Sequence, residues 1–137
     1  MTKAGTLVAA WHDLLDRHAR ATWALERALE PHGLGVSEFE VLDRLVEQGK
    51  KVARVQDLAR AAYLSQSALS RVIGRLERDG LVSRSLCDVD RRGIFVCLTD
   101  EGRKRHKEAR ATQRTVLAAT LFRRGLAISR QASALHR

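Results

Sequence analysis

At 137 residues, with 45% hydrophobic and 30% charged side chains, the chain suits one cored unit and is too short for separate cofactor and substrate lobes. That balance and a single proline exclude collagen-like, low-complexity and wholly disordered classes. Twenty-five Lys and Arg against sixteen Asp and Glu leave +9 and a pI near 10.7, which favours a polyanionic partner, nucleic acid before an acidic membrane surface.

The charge is regional. Residues 1–50 carry six basic and eight acidic side chains, residues 51–110 fourteen and eight, and residues 111–137 five and none. A surface for a polyanion therefore falls in the middle of the chain, with a basic tail that has no equally direct explanation. Two cysteines, Cys87 and Cys97, are too few for a disulfide scaffold and do not form a zinc-binding set, so a reducing compartment is expected. His12 and Asp13 interrupt the first apolar stretch, unlike the core of a signal peptide, and no 18-residue apolar run follows. The expected location is the cytoplasm.

In chain order, Leu7, Val8, Trp11, Leu14, Leu15, Leu25 and Leu29 fit one stripe of a long helix that Pro31 and Gly33 end. Ser37 with Glu40 is a capping-box pattern for a second helix carrying Phe39, Val41, Leu42, Leu45 and Val46. Val55, Leu58, Ala59 and Ala62 outline a short third helix. Ser65 caps a fourth, from Gln66 to about Arg78, with Leu69, Val72, Ile73 and Leu76 on its apolar stripe. The opposite side of that helix carries Gln66, Ser67, Ser70, Arg71, Arg75 and Arg78: hydroxyls, an amide and guanidiniums, the groups that address base edges. Asp79-Gly80 closes it, with the glycine at C′. Leu81–Leu86 and Ile94–Leu98 alternate as two strands around a basic tip, Asp88-Val89-Asp90-Arg91-Arg92-Gly93. Thr99 caps a fifth helix whose face includes Ala109, Val116, Leu117, Leu121 and Phe122; Gly125 is expected to interrupt it before a last helix over 126–135.

Two tandem helices, the second polar and cationic outward, followed at once by a hairpin with arginines at its turn, form a winged helix-turn-helix. The expected fold class is α+β, mainly helical, with long flanking helices. Asp57-Leu58-Ala59, then Leu64-Ser65-Gln66-Ser67-Ala68-Leu69-Ser70-Arg71, then Leu76-Glu77-Arg78-Asp79-Gly80-Leu81-Val82 resemble the helix-turn-helix of the MarR family of bacterial transcriptional regulators. Asp88 to Gly93 and Leu98-Thr99-Asp100-Glu101-Gly102 are similar to that family's wing and following helix.

The resemblance implies one domain over 1–137, with residues 34–100 as the winged helix-turn-helix and residues 1–33 and 101–137 as dimerisation helices. It implies a homodimer on a pseudo-palindromic operator, acting as a ligand-responsive repressor. Ser65, Gln66, Ser67, Ser70 and Arg71 match positions that face DNA, and Arg75 extends that face. Arg92 matches a wing arginine that enters the minor groove, with Arg91 on the neighbouring phosphate and Asp90 orienting Arg92. The family commonly senses small ligands between its dimerisation helices and its reading lobe; Trp11, His12, His18 and Trp23 are the residues here suited to an aromatic or phenolic effector. Trp11 also lies on the main stripe and fits a core or dimer contact as well.

Tyr63 departs from the family, standing where the turn often has glycine, so either the turn differs or the ring packs on the core. Three rival readings are distinguishable. A chromosome-organising protein would need only the charge, but Gln66, Ser67 and Ser70 are poor counterions and good base-edge groups. A redox sensor would use Cys87 or Cys97, yet a hairpin turning near Asp90 puts Cys97 opposite Ser83 or Arg84, out of register with Cys87. An enzyme would need a nucleophile elbow, phosphate loop or carboxylate pair, and the sequence shows none. No cofactor or metal is expected; His12, His18, His32, His106 and His136 follow no ligand spacing.

Overall fold

The structure, a computed structural model, describes residues 3–48, 52–86 and 94–135, and the side chains of 3–48, 53–84 and 95–121. Helix α1 (Lys3–Leu29) leads through a 3₁₀ turn (Glu30–His32) to α2 (Val36–Glu47), then strand β1 (Val52–Arg54) and helices α3 (Val55–Ala61) and α4 (Gln66–Arg78). Strands β2 (Val82–Leu86) and β3 (Ile94–Leu98) follow, and α5 (Asp100–Leu135) closes the order. The molecule is mainly helical with a small antiparallel sheet in the order β1-β3-β2.

Local chemistry sets most boundaries. Gly33, at φ +69°, takes the left-handed turn after the Pro31 segment, so its N–H reaches the Glu30 carbonyl at 2.8 Å. At the end of α4, Gly80 is at φ +75° and sends its N–H to the Glu77 carbonyl, while Leu81 N–H reaches Leu76; this closes the helix as expected. The Ser37–Glu40 capping box does not form. Gly35 is the N-cap of α2, Ser37 lies inside the helix, and Glu40 accepts from Arg44 Nε at 3.1 Å. An i,i+4 partner thus outcompetes the reciprocal cap. Gly125 does not interrupt α5, which runs on to Leu135. One glycine costs only about 1 kcal/mol inside a helix, too little to break it.

Strand β1 is an addition that the sequence pattern did not supply. Its three residues pair Val52 with Cys97, Ala53 with Val96 and Arg54 with Phe95, and so tie the start of α3 to the wing sheet. Three residues are too few for an alternating pattern to register.

One contiguous apolar cluster runs from Leu25 to Ala109, with Leu29, Leu42, Leu58, Leu69, Leu76 and Leu81 fully buried. At about 1.5–3 kcal/mol for each such side chain, this cluster is the dominant stabilising term. The stripe on α1 behaves differently along its length. Ala21, Leu25 and Leu29 are buried, whereas Leu7, Val8, Trp11, Leu14 and Leu15 remain 44–64% exposed.

Thr99 couples the end of α4 to α5. Its hydroxyl donates to the Gly80 carbonyl at 2.7 Å and accepts from Gly102 N–H at 3.0 Å, while its own N–H reaches the Leu81 carbonyl at 3.1 Å. Gly102 packs so closely on the Leu81 backbone that a β-carbon there would collide with it. The α4 terminus and the α5 cap are therefore one structural joint.

Candidate nucleic-acid interface

Helix α4 has two distinct sides. Leu69, Val72, Ile73 and Leu76 are buried against the core, which fixes the rotation of the helix. Gln66, Ser67, Ser70 and Arg71 are exposed on the other side. Arg71 has no acidic partner among the described residues, so its guanidinium keeps its full bidentate capacity. Ser65 is exposed too, but its hydroxyl is committed to the cap: it accepts from Ala68 N–H at 3.2 Å and lies 3.3 Å from the Ser67 hydroxyl.

Arg75 makes a contact that its place on the helix does not announce. The helical wheel puts it with Arg71, but its Nε donates to Glu38 Oε1 of α2 at 3.0 Å. The Glu38 side chain is only 11% exposed, and so nearly buried a carboxylate needs a cation. Arg75 thus ties α4 to α2 through its Nε, while its side chain stays 48% exposed.

The wing is tied to the same helix. Glu77 Oε2 accepts the backbone N–H of Arg84 at 3.2 Å, and Oε1 lies 3.7 Å from the Arg84 Nε. Arg84 is accordingly an anchor between α4 and β2. The wing-tip residues Asp90, Arg91 and Arg92, and also Cys87, lie outside the described residues. Cys97 is half-buried and opposes Ser83, as the hairpin register required.

Tyr63 resolves neither way the sequence allowed. The left-handed turn does form, at φ +56°, with Tyr63 N–H on the Arg60 carbonyl and Leu64 N–H on that of Ala59. The ring does not pack on the core; the residue is 88% exposed. A non-glycine residue holds a strained conformation at the entry to the reading helix.

A buried polar cluster joins α2 to α5. Asp43 accepts from His106 Nε2 at 2.7 Å and from Arg114 Nη1 at 3.0 Å, and Arg114 Nη2 reaches Glu47 at 3.2 Å. His106 stacks on Phe39 with centroids 5.3 Å apart, and Arg114 also donates to Gln113 at 2.9 Å. Burial pushes the Asp43 carboxyl up, but the hydrogen bonds and charges of His106 and Arg114 outweigh it and hold the group below its ordinary value. The sequence offered one unused signal: Asp43 falls four residues after Phe39, on the apolar side of α2.

A cleft of about 740 Å³ opens between α1, the start of α2 and the turn before α4. His18, Thr22 and Glu26 line it from α1, Glu38 and Glu40 from α2, and Tyr63 and Arg75 from the reading module. Of the four expected effector residues, the structure brings only His18 there. Trp11 precedes His18 by two turns, roughly 10 Å along the axis, and Trp23 is rotated about 100° from Thr22. His12 and Trp23 are exposed, and the Arg27 guanidinium covers the Trp23 ring at 5.2 Å. Among the described residues no three His, Cys, Asp or Glu side chains converge as metal ligands, and no helix is long and apolar enough to cross a membrane.

Residues 34–94 match the sequence model of the MarR family. The crystal structure of AbsC, a MarR family transcriptional regulator from Streptomyces coelicolor, is 30% identical with a TM-score of 0.77, the match covering 99% of this chain and 97% of that one. Sco3205, a MarR family transcriptional regulator from the same organism solved in complex with DNA, is 27% identical with a TM-score of 0.79 over 98% of this chain and 93% of that one. The HTH-type transcriptional regulator YfiV of Bacillus subtilis is 33% identical over 102 residues, 67% of this chain and 64% of YfiV. The chain thus spans less than two thirds of such curated relatives, 45% of another.

Proposed function

Because this chain belongs to the MarR family, we propose that it is a homodimeric, sequence-specific DNA-binding regulator of transcription. The observation that carries the reading is the outer side of α4, where Gln66, Ser67, Ser70 and Arg71 are exposed while the opposite stripe is buried. In a major groove Arg71 suits the O6 and N7 acceptors of guanine, and the amide and hydroxyls suit adenine or mixed edges. Arg91 and Arg92, with Asp90 orienting Arg92, act from the wing on phosphate and minor groove. Ser65 and Arg75 act through position, the first as cap and the second as anchor.

The exposed half of the α1 stripe supports a second copy as its cover, so that residues 1–33 and 101–137 make the dimer and residues 34–100 read DNA. Two-fold symmetry then sets equivalent helices in successive major grooves, about 10 bp apart, on a pseudo-palindrome. Bound there in the cytoplasm, the dimer represses by excluding polymerase, and a small effector in the cleft beside α4 releases it.

Footprinting the full chain on DNA flanking its own gene tests this reading. A discrete protected site supports it; uniform coating supports the charge-driven chromosomal protein, for which +9 alone would suffice. Arg91→Ala should weaken all sequences alike and reduce the salt slope by about one.

A further inference from the structure

After proline, glycine is the weakest helix former, and Gly74 stands in the middle of α4. At about 100° per residue it lies within about 30° of the centre of the side opposite Leu69, Val72, Ile73 and Leu76. Ser70, Arg71 and Arg78 around it are exposed, yet Gly74 is partly covered. Among the described residues, the one atom beyond its own stretch of helix within 4 Å of where a β-carbon would stand is Arg84 Nη2, at 3.9 Å. A guanidinium that starts on β2 thus ends over bare backbone on the outer side of α4.

Glu77 sets that course. Its carboxylate accepts the Arg84 backbone N–H at 3.2 Å and stands 3.7 Å from Nε. The two side chains are 45% and 37% exposed, and an ion pair so open to water contributes little to stability. Its consequence is direction, since the terminal nitrogens of Arg84 have no acceptor among the described residues.

A helix with its side chains is about 10–12 Å across and the major groove about 12 Å wide, so a helix lying there has a sugar-phosphate wall at each flank. Glu77 and Arg84 occupy one flank of α4, beside the outward Ser70 and Arg71. We propose that Arg84 is a phosphate-contact residue and that Glu77, although acidic, strengthens DNA binding by aiming it. A guanidinium offers paired N–H donors to phosphate oxygens, and here its free end faces the side of α4 assigned to DNA. The inference rests on the DNA-binding reading above and adds a contact from the body of the hairpin, apart from Arg91 and Arg92 at its tip.

The sign of one substitution separates this role from bulk charge. Removing a carboxylate from a protein that binds a polyanion should tighten binding, whereas removing the group that aims Arg84 should weaken it. The measurement is the affinity of the full chain for a random-sequence duplex over a salt series, which needs no operator. Arg84→Ala should weaken binding about fivefold at physiological salt and lower the salt slope by about one per protomer. Arg84→Gln keeps the stem over Gly74 and should lower the slope equally, so the loss in the alanine variant does not come from misfolding. Glu77→Ala should weaken binding about threefold in the wild-type background and tighten it about twofold in the Arg84→Ala background. A pairing that only attached the wing would weaken binding in both. A salt slope indifferent to both Arg84 substitutions overturns the phosphate contact, and a Glu77→Ala effect of one sign in both backgrounds overturns the positioning role. Either result leaves the DNA-binding reading standing, whereas a wild type that binds no duplex overturns that reading and this inference together.

Discussion

The winged-helix half of this chain closes its apolar surface on itself, whereas the first half of α1 leaves the same kind of stripe open. Leu69, Val72, Ile73 and Leu76 of α4 are at most 3% exposed; Leu14, on an equally regular pattern, is 56% exposed. Periodicity tells which side of a helix will be covered and not what covers it. On α4 the cover is the chain's own core. On α1 a second copy is the proposed cover, and on that proposal the same difference would separate a reading part from a pairing part.

Leu14→Glu should have the largest effect. If a partner buries Leu14, an unpaired carboxylate there costs about 3 kcal/mol or more, a hundredfold or greater rise in the dimer dissociation constant. Light scattering on a sizing column should show monomer, and operator affinity should fall with it. An unchanged dimer would mean that the open stripe is not the interface.

Asp43→Asn addresses the joint between the two regions. Removing this carboxylate from His106 and Arg114 should destabilise the chain by about 2 kcal/mol at neutral pH, a value discounted because Arg114 is 36% exposed. The folded pKa of Asp43 lies below the unfolded one, so its contribution is complete above the ordinary carboxylate range and is lost as pH falls through the folded value. Denaturant midpoints of wild type and variant should therefore converge in acid. Tyr63→Gly is the smallest effect, a gain of about 1 kcal/mol from relief of the left-handed turn, read as a higher Tm.

What the sequence disclosed depended on how local its physics was. The bounds of α4, its Ser65 cap and its Gly80 closure were all legible, because period, cap and breaker fall within a single stretch and agree. So was the register that sets Cys97 against Ser83. The pattern failed where two local solutions competed, as at Ser37 and Glu40, and where an element was too short to show a period, as in β1. It also failed where the deciding partner was distant. Nothing near Arg75 announces Glu38, 37 positions earlier, and the Asp43–His106 pair spans 63. The outward residues Gln66, Ser67, Ser70 and Arg71 were readable because their exposure follows from the buried stripe alone.

The central claim is that the outer side of α4 reads sequence and does not merely supply charge. Its most direct test is the ratio of operator to competitor-DNA affinity for wild type and Arg71→Ala at one fixed salt concentration. Loss of a bidentate base contact should lower that ratio by about 1–3 kcal/mol, while affinity for competitor DNA falls only modestly. An equal loss on both DNAs, with the ratio unchanged, would contradict the account and make Arg71 a phosphate contact.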